Sequence, residues 1–330
     1  MVDQMTKWER IRAAVKGQPT DRTCVALWRH FPVDDMTPEG LARRSLQFQA
    51  KFDWDLVKFT PTGTYGVMDW GAETVWQPNN MGVRTVVKCG VNKPEEWLSL
   101  PKLDPTKGFY GQQNQALGLV ARELNGQAPL LQTIFSPLTT ARKLAGDRVF
   151  TDLRTNPAAF KAGMETITDV TIQFALEAIK SGATGMFFAT QNGSYRVLNE
   201  SEYKEWGAEY DLRILNALRS KVEFLLVHIH GEDTMYELLM KYPVDMANWH
   251  DRITAPTLSE GRKLFPGMVV GGLNEWNTLV TGSVAAIEAE VQDAIAQTDG
   301  GRGLMISPGC VVPGHAPEEH LMIVRKAVEK

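Results

Sequence analysis

The chain has 330 residues, 43% of them hydrophobic and 22% charged, and a formal net charge of −4. That composition suits a globular chain able to bury a large core, and excludes a disordered or disulfide-stapled one. Acids and bases are mixed along the chain without a basic patch, and no apolar run reaches about 18 residues, so neither nucleic acid nor a membrane is an expected partner.

The first seventeen residues are polar and charged and contain no hydrophobic signal region. The three cysteines, Cys24, Cys89 and Cys310, are odd in number and far apart, which fits a reducing cytoplasm. Trp8, Ile11, Ala14 and Val15 recur at helical spacing, so Lys7 to Lys16 reads as a leading helix stopped by Gly17 and Pro19. A strand follows over Thr23 to Trp28, running into Arg29-His30-Phe31. Thr37 then caps a helix with Pro38 at its first position, ending near Phe52. Leu56 to Pro61 is the second strand. From residue 64 to about 107 the rhythm breaks: Glu73 to Trp76 and Val83 to Lys88 read as an inserted hairpin, then a proline-rich loop.

A helix from about Gln112 to Leu124 restores the pattern, and Leu130 to Phe135 is the third strand. Pro137 to Ile179 reads as two helices broken near Asn156-Pro157, and Gly185 to Thr190 as the fourth strand. A helix from about Glu202 to Arg219 leads to the fifth strand, the apolar run Glu223 to Val227, which closes on His228-Ile229-His230-Gly231. Asp233 to Lys241 is expected to be helical, Val244 to Trp249 a strand, Leu258 to Leu264 a helix and Met268 to Leu273 a strand. A helix from Val284 to Ala296, a strand from Leu304 to Ser307 and a helix from Pro317 to Val328 complete the chain. Eight apolar strands alternating with helices predict a parallel sheet, as a single (β/α)8 barrel spanning 1–330 or, alternatively, an open doubly wound sheet.

In a barrel, chemistry sits at the C-terminal ends of the strands. Polar residues cluster there: Arg29 and His30, Gln191 and Asn192, His228 and His230, Asn248 and His250, Asn274 and Glu275, and Cys310. Residues two apart on a strand point the same way, so His228 and His230 aim at one place. With Cys310 they form a candidate ligand set for zinc, three protein donors leaving a fourth position open for chemistry. The competing reading is a hydrogen-bonded histidine pair and a packed thiol. His250 is open to three roles: fourth ligand, base, or partner of Asp251. Glu275 is a candidate proton carrier or metal ligand, and Arg29 pairs either with an anionic substrate or with an internal carboxylate. His315 and His320 read as surface residues, and Cys24 and Cys89 as structural ones. No GxGxxG or Walker loop points to a nucleotide.

Trp8-Glu9-Arg10, Pro19-Thr20-Asp21-Arg22, Val25 to Arg29, His228 to Gly231, Ser307 to Cys310 and Ala316 to Glu319 together resemble the uroporphyrinogen decarboxylase superfamily along nearly the whole chain. The resemblance implies a (β/α)8 barrel. True decarboxylases carry an Arg-Gln-Ala-Gly-Arg-Tyr loop after the first strand, where this chain has Arg29-His30-Phe31-Pro32 and keeps only Arg29. They also carry Phe-Ser-Asp after the second strand, where this chain has Phe59-Thr60-Pro61, and Gly-His where it has Gly309-Cys310. The zinc-dependent methyltransferase branch is the nearer one. Its members move a methyl group between a corrinoid protein and a thiol, and bind zinc through His-x-Cys and a later Pro-Gly-Cys. His228 and Cys310 match that motif, while His230 stands where the branch has cysteine. His-His-Cys around zinc carries about one more positive charge than His-Cys-Cys, which acidifies a bound thiol further and weakens it as a nucleophile.

The resemblance therefore implies a zinc-dependent methyltransferase, with a methyl-corrinoid protein as partner and a small thiol or similar molecule as acceptor. Two alternatives stay open: a metal-free lyase using Arg29 on a tetrapyrrole or smaller acid, and a non-catalytic barrel that binds a tetrapyrrole or a corrinoid protein.

Overall fold

The computed structural model describes residues 4–329, so the two ends of the 1–330 span lie outside it. In chain order the strands are β1 (Cys24–Val25), β2 (Val57–Phe59), β3 (Glu73–Val75), β4 (Thr85–Lys88), β5 (Leu130–Phe135), β6 (Gly185–Thr190), β7 (Phe224–Ile229), β8 (Met246–Trp249), β9 (Met268–Leu273) and β10 (Leu304–Pro308). β3 and β4 pair antiparallel as a separate two-stranded sheet. The other eight form one parallel sheet in the order β1-β10-β9-β8-β7-β6-β5-β2. Its strands follow one another in space as they do in sequence, the order that a curled sheet fitting a (β/α)8 barrel requires.

The two end strands of that order approach each other: the Asp55 N–H donates to Val25 O at 3.0 Å. The fully buried Asp55 carboxylate completes the junction. It accepts from Val25 N at 2.9 Å, Arg10 Nη1 at 2.6 Å, and Arg22 Nη1 and Nη2 at 2.7 and 2.8 Å. Burial makes such charge pairs costly unless every lone pair is used, and here the oxygens are shared among several donors.

Local rules account for most helix boundaries. The first helix, Lys7–Val15, starts from a Thr6–Glu9 capping box, and the Thr37 side chain caps Pro38–Phe52 by accepting from Gly40 N. The region after β5 divides into Pro137–Ala145, Val149–Thr155 and Pro157–Lys180, with one break at Pro157 and another at Gly146.

Besides that second break, at Gly146, where only the one at Pro157 was expected, three expectations need correction. The first strand is ladder-paired only at Cys24–Val25. The helix expected over Asp233 to Lys241 shrinks to Tyr236–Leu239. Asp233 has φ +50° and its carbonyl accepts from Tyr195 N, so this backbone bonds to a neighbouring loop instead of winding a helix. The helix expected from Gln112 begins at Gly108, because the Asp69 carboxylate accepts from Phe109 N and Tyr110 N and caps it from forty residues away. Among the described residues no helix is long and apolar enough to cross a membrane.

Candidate metal centre

His228 lies within β7, and the parallel register sets it opposite Asn248 of β8. His230 follows the end of β7 and is held by its N–H donating to Thr190 O at 2.9 Å. The matching residue after β8 is His250, and Cys310 follows β10. These four residues form one cluster whose potential donor atoms all lie within 4.8 Å of one another. The strand ends thus bring together His228, His230 and Cys310 and add His250 to them.

The individual contacts are specific. The Asn248 side-chain N–H groups donate to Val270 O at 2.8 Å and Pro308 O at 3.1 Å. Its oxygen is left to accept from His228 Nδ1–H, at 2.6 Å. That bond fixes the tautomer: the proton is on Nδ1, and the Nε2 lone pair is free to bind a cation. His230 Nδ1 lies 3.3 Å from His250 Nε2 and 3.6 Å from Cys310 Sγ. Tetrahedral zinc with ordinary bond lengths would separate two nitrogens by about 3.3 Å, and a nitrogen from a sulfur by about 3.6 Å. The spacing and chemistry of these donors fit that ion.

Glu275, 1% exposed, sits behind His250. Its Oε1 lies 3.2 Å from His250 Nδ1, within charge-contact range but without hydrogen-bond alignment. Its Oε2 accepts from Gly309 N at 3.2 Å. Gly309 is required here, since a Cβ would come within 2.8 Å of the His250 backbone. Asp251 is not the partner of His250, because its carboxylate accepts from Gly272 N at 3.0 Å.

The electrostatics favour neutral donors in the absence of an ion. Burial, with the adjoining imidazoles, pushes His228 well below the usual histidine range, and burial takes His230 down to about 3. Burial, with the Glu275 carboxylate nearby, pushes the Cys310 thiol up to about 12. A divalent cation would reverse the preference at the thiol.

A cavity of about 330 Å³ opens onto His228, His230 and Cys310 and is walled by Trp28, Phe135 and Phe187. His30 and Gln191 line it; Arg29, His250 and Glu275 do not. The Arg29 guanidinium donates to Gly314 O, and the Glu318 carboxylate lies near enough to act on its charge. His315 is exposed, while His320 is half-buried with Nδ1 3.1 Å from Leu279 O. Cys24 and Cys89 lie outside the cluster.

Sequence reasoning missed Lys58 and Lys143, which both line the cavity. Lys58 left a readable trace, a cation between Val57 and Phe59 inside a strand; Lys143, on a helix, left none. It also listed Asn248 among the polar strand ends without foreseeing that it orients His228.

Residues 6–330 match the family model for uroporphyrinogen decarboxylase (URO-D). A methylcobamide:CoM methyltransferase, MtbA, of Methanosarcina acetivorans is 21% identical over 96% of this chain and 96% of its own. A uroporphyrinogen decarboxylase of Trichlorobacter lovleyi is 26% identical over 64% of this chain and 63% of its own. Among solved structures, a methyltransferase from Methanosarcina mazei superposes with a TM-score of 0.84 at 18% identity, covering 99% of each chain.

Proposed function

The chain belongs to the uroporphyrinogen decarboxylase family, and from that premise we propose that it is a zinc-dependent methyltransferase moving a methyl group between a corrinoid protein and a small acceptor such as a thiol. The observation that carries this reading is the cluster of three imidazoles and a thiol within 4.8 Å, opening onto a cavity. The near full-length match to a methylcobamide methyltransferase supports it. The lyase alternative has less support, because Arg29 does not line the cavity.

His228, His230 and Cys310 would hold the ion, with His250 as a fourth donor. Zinc bound there would supply Lewis acidity that lowers the pKa of an acceptor heteroatom. With four protein donors around the ion, an acceptor would reach it only if one of them yielded. His250 is the donor suited to yield: once released, its Nε2 could take up the proton of the acceptor, and the Glu275 carboxylate, 3.2 Å from Nδ1, would stabilise the imidazolium so formed. In the transfer itself the acceptor's lone pair forms the bond to the methyl carbon. The cobalt–carbon pair stays on the corrinoid, which leaves as Co(I). We place the reaction in the cytoplasm, where the Cys310 thiol stays reduced.

Asn248 acts through His228. Asn248→Ala is expected to weaken zinc binding by about 10–100-fold, measured by competition with a chromophoric chelator. Unchanged affinity would show that the tautomer is set some other way.

The reading as a whole is tested by following the visible spectrum of free methylcobalamin mixed with zinc-loaded protein and a panel of thiols. Loss of the methylcobalamin bands with stoichiometric thioether is the expected result. No transfer with any thiol, alongside decarboxylation of a porphyrinogen by metal-free protein, would replace it with the lyase reading.

A further inference from the structure

The cavity in front of the cluster has a composition that the methyl-transfer reading does not explain. Among the described residues no aspartate or glutamate lines it, whereas Lys58, Arg84 and Lys143 do. Arg84 is spoken for, its guanidinium donating to Thr74 Oγ1 and O at 2.9 and 2.7 Å. Lys143 is half spoken for: Nζ donates to Gly63 O at 2.7 Å and sits 3.4 Å from the centre of the Phe135 ring. Its remaining N–H groups have no acceptor among the described residues. The Lys58 ammonium has no hydrogen-bond or ion-pair partner among them at all. It lies 4.5 Å from the Phe187 ring centre and 6.0 Å from that of Trp28.

Two half-buried cations near one another, without a carboxylate between them, disfavour each other's charge. Burial brings both ammonium groups down to about 7, and for Lys143 the charge of Lys58 adds to the effect. Such an arrangement is stabilised when an anion enters. Much of the remaining wall is aromatic, with the neutral polar side chains of His30, Thr133 and Gln191 among it: Trp28 and Phe187 meet edge to face at 5.5 Å, and Phe135 closes the Lys143 side. His228 stacks on Phe187 at 5.4 Å, so the space left along these side chains suits edge and side contact with a planar ring better than a short polar chain. The volume, about 330 Å³, is at the small end for a ligand pocket and far too small for a tetrapyrrole.

We propose that this cavity binds a small aromatic carboxylate, its charge met by Lys58 and Lys143, its ring lying along Trp28 and Phe187, and its reacting end toward His230 and Cys310. The proposal rests on the methyl-transfer reading only in taking the cavity as the seat of the small-molecule substrate.

The test is calorimetric titration of 4-methylbenzoate into chelator-treated, zinc-free protein and into zinc-loaded protein. Its neutral counterpart 4-methylbenzamide and the ringless anion acetate serve as comparators. Binding of 4-methylbenzoate is expected in both preparations, about ten- to a hundredfold tighter than either comparator. Lys58→Met should lose a similar factor, and Lys143→Met a smaller one. Lys58→Met removes an unpartnered charge and keeps the side-chain length, so its melting temperature should not fall; Lys143→Met gives an independent reading if it does. Equal binding of the amide, equal binding of acetate, wild-type affinity in both variants, or no binding of any probe would each overturn the proposal. Because the zinc-free protein is included, the two readings separate. Aromatic binding without zinc-dependent methyl transfer would sink the methyltransferase alone, and methyl transfer without aromatic binding would sink this inference alone.

Discussion

Replacing either Cys310 or His228 with alanine is expected to strip zinc from a protein that otherwise binds about one ion per chain. Structural zinc sites contribute about 10–16 kcal/mol, so each of four donors carries about 3 kcal/mol, which is more than a hundredfold in affinity. The loss at His228 should be the cleaner of the two, because its imidazole is already held in the tautomer that presents Nε2. Elemental analysis of untagged protein, wild type beside the two variants, reads the outcome. Full zinc occupancy in both variants, with their circular dichroism unchanged, would mean that the cluster is a hydrogen-bonded packing motif.

The same centre predicts a pH dependence. Without an ion the Cys310 thiol is pushed up to about 12, so zinc must displace its proton, whereas His230, at about 3, is already neutral. Binding therefore releases a proton, and apparent affinity should rise about tenfold per pH unit between about pH 7 and 9 and fall as pH falls. Cys310→Ala should abolish this slope along with most of the affinity.

The second large effect concerns the fold. Asp55→Ala is expected to cost about 3–5 kcal/mol, because it leaves Arg10 and Arg22 without their shared partner at the junction of β1 and β2. Arg10 is 4% exposed and Asp55 0%, so water cannot take over the lost bonds. Asp21 holds the other edge of Arg10, with Nε–Oδ1 at 2.7 Å, and would be left as its only carboxylate. The loss also removes the acceptor of Val25 N, a backbone donor in the short β1. Urea unfolding followed by fluorescence measures it: the midpoint should drop with little change in slope. A cost under about 1 kcal/mol would mean that the junction is held by backbone pairing and packing alone.

Much of this molecule was legible before folding. The strands Leu130–Phe135, Gly185–Thr190 and Met268–Leu273 occur where the apolar runs put them, because a strand buried on both faces needs continuous apolar residues. His228 and His230 converge because side chains two apart on an extended backbone share a face, a property fixed by local geometry. The caps at Thr6 and Thr37 are equally local. Tertiary structure decided what depends on register and on residues distant in sequence. His250 joins the cluster because β8 pairs with β7 so that Asn248 stands opposite His228, and no local pattern encodes that register. Asp69 starts a helix forty residues away, where nearby residues supplied no cap. Lys58 and Lys143 meet in one cavity although one lies on a strand and the other on a helix. Periodicity is a property of a few consecutive dihedrals and can be read from the chain. The company a side chain keeps is set by long-range packing of the whole sheet, and that appeared only once the sheet had curled.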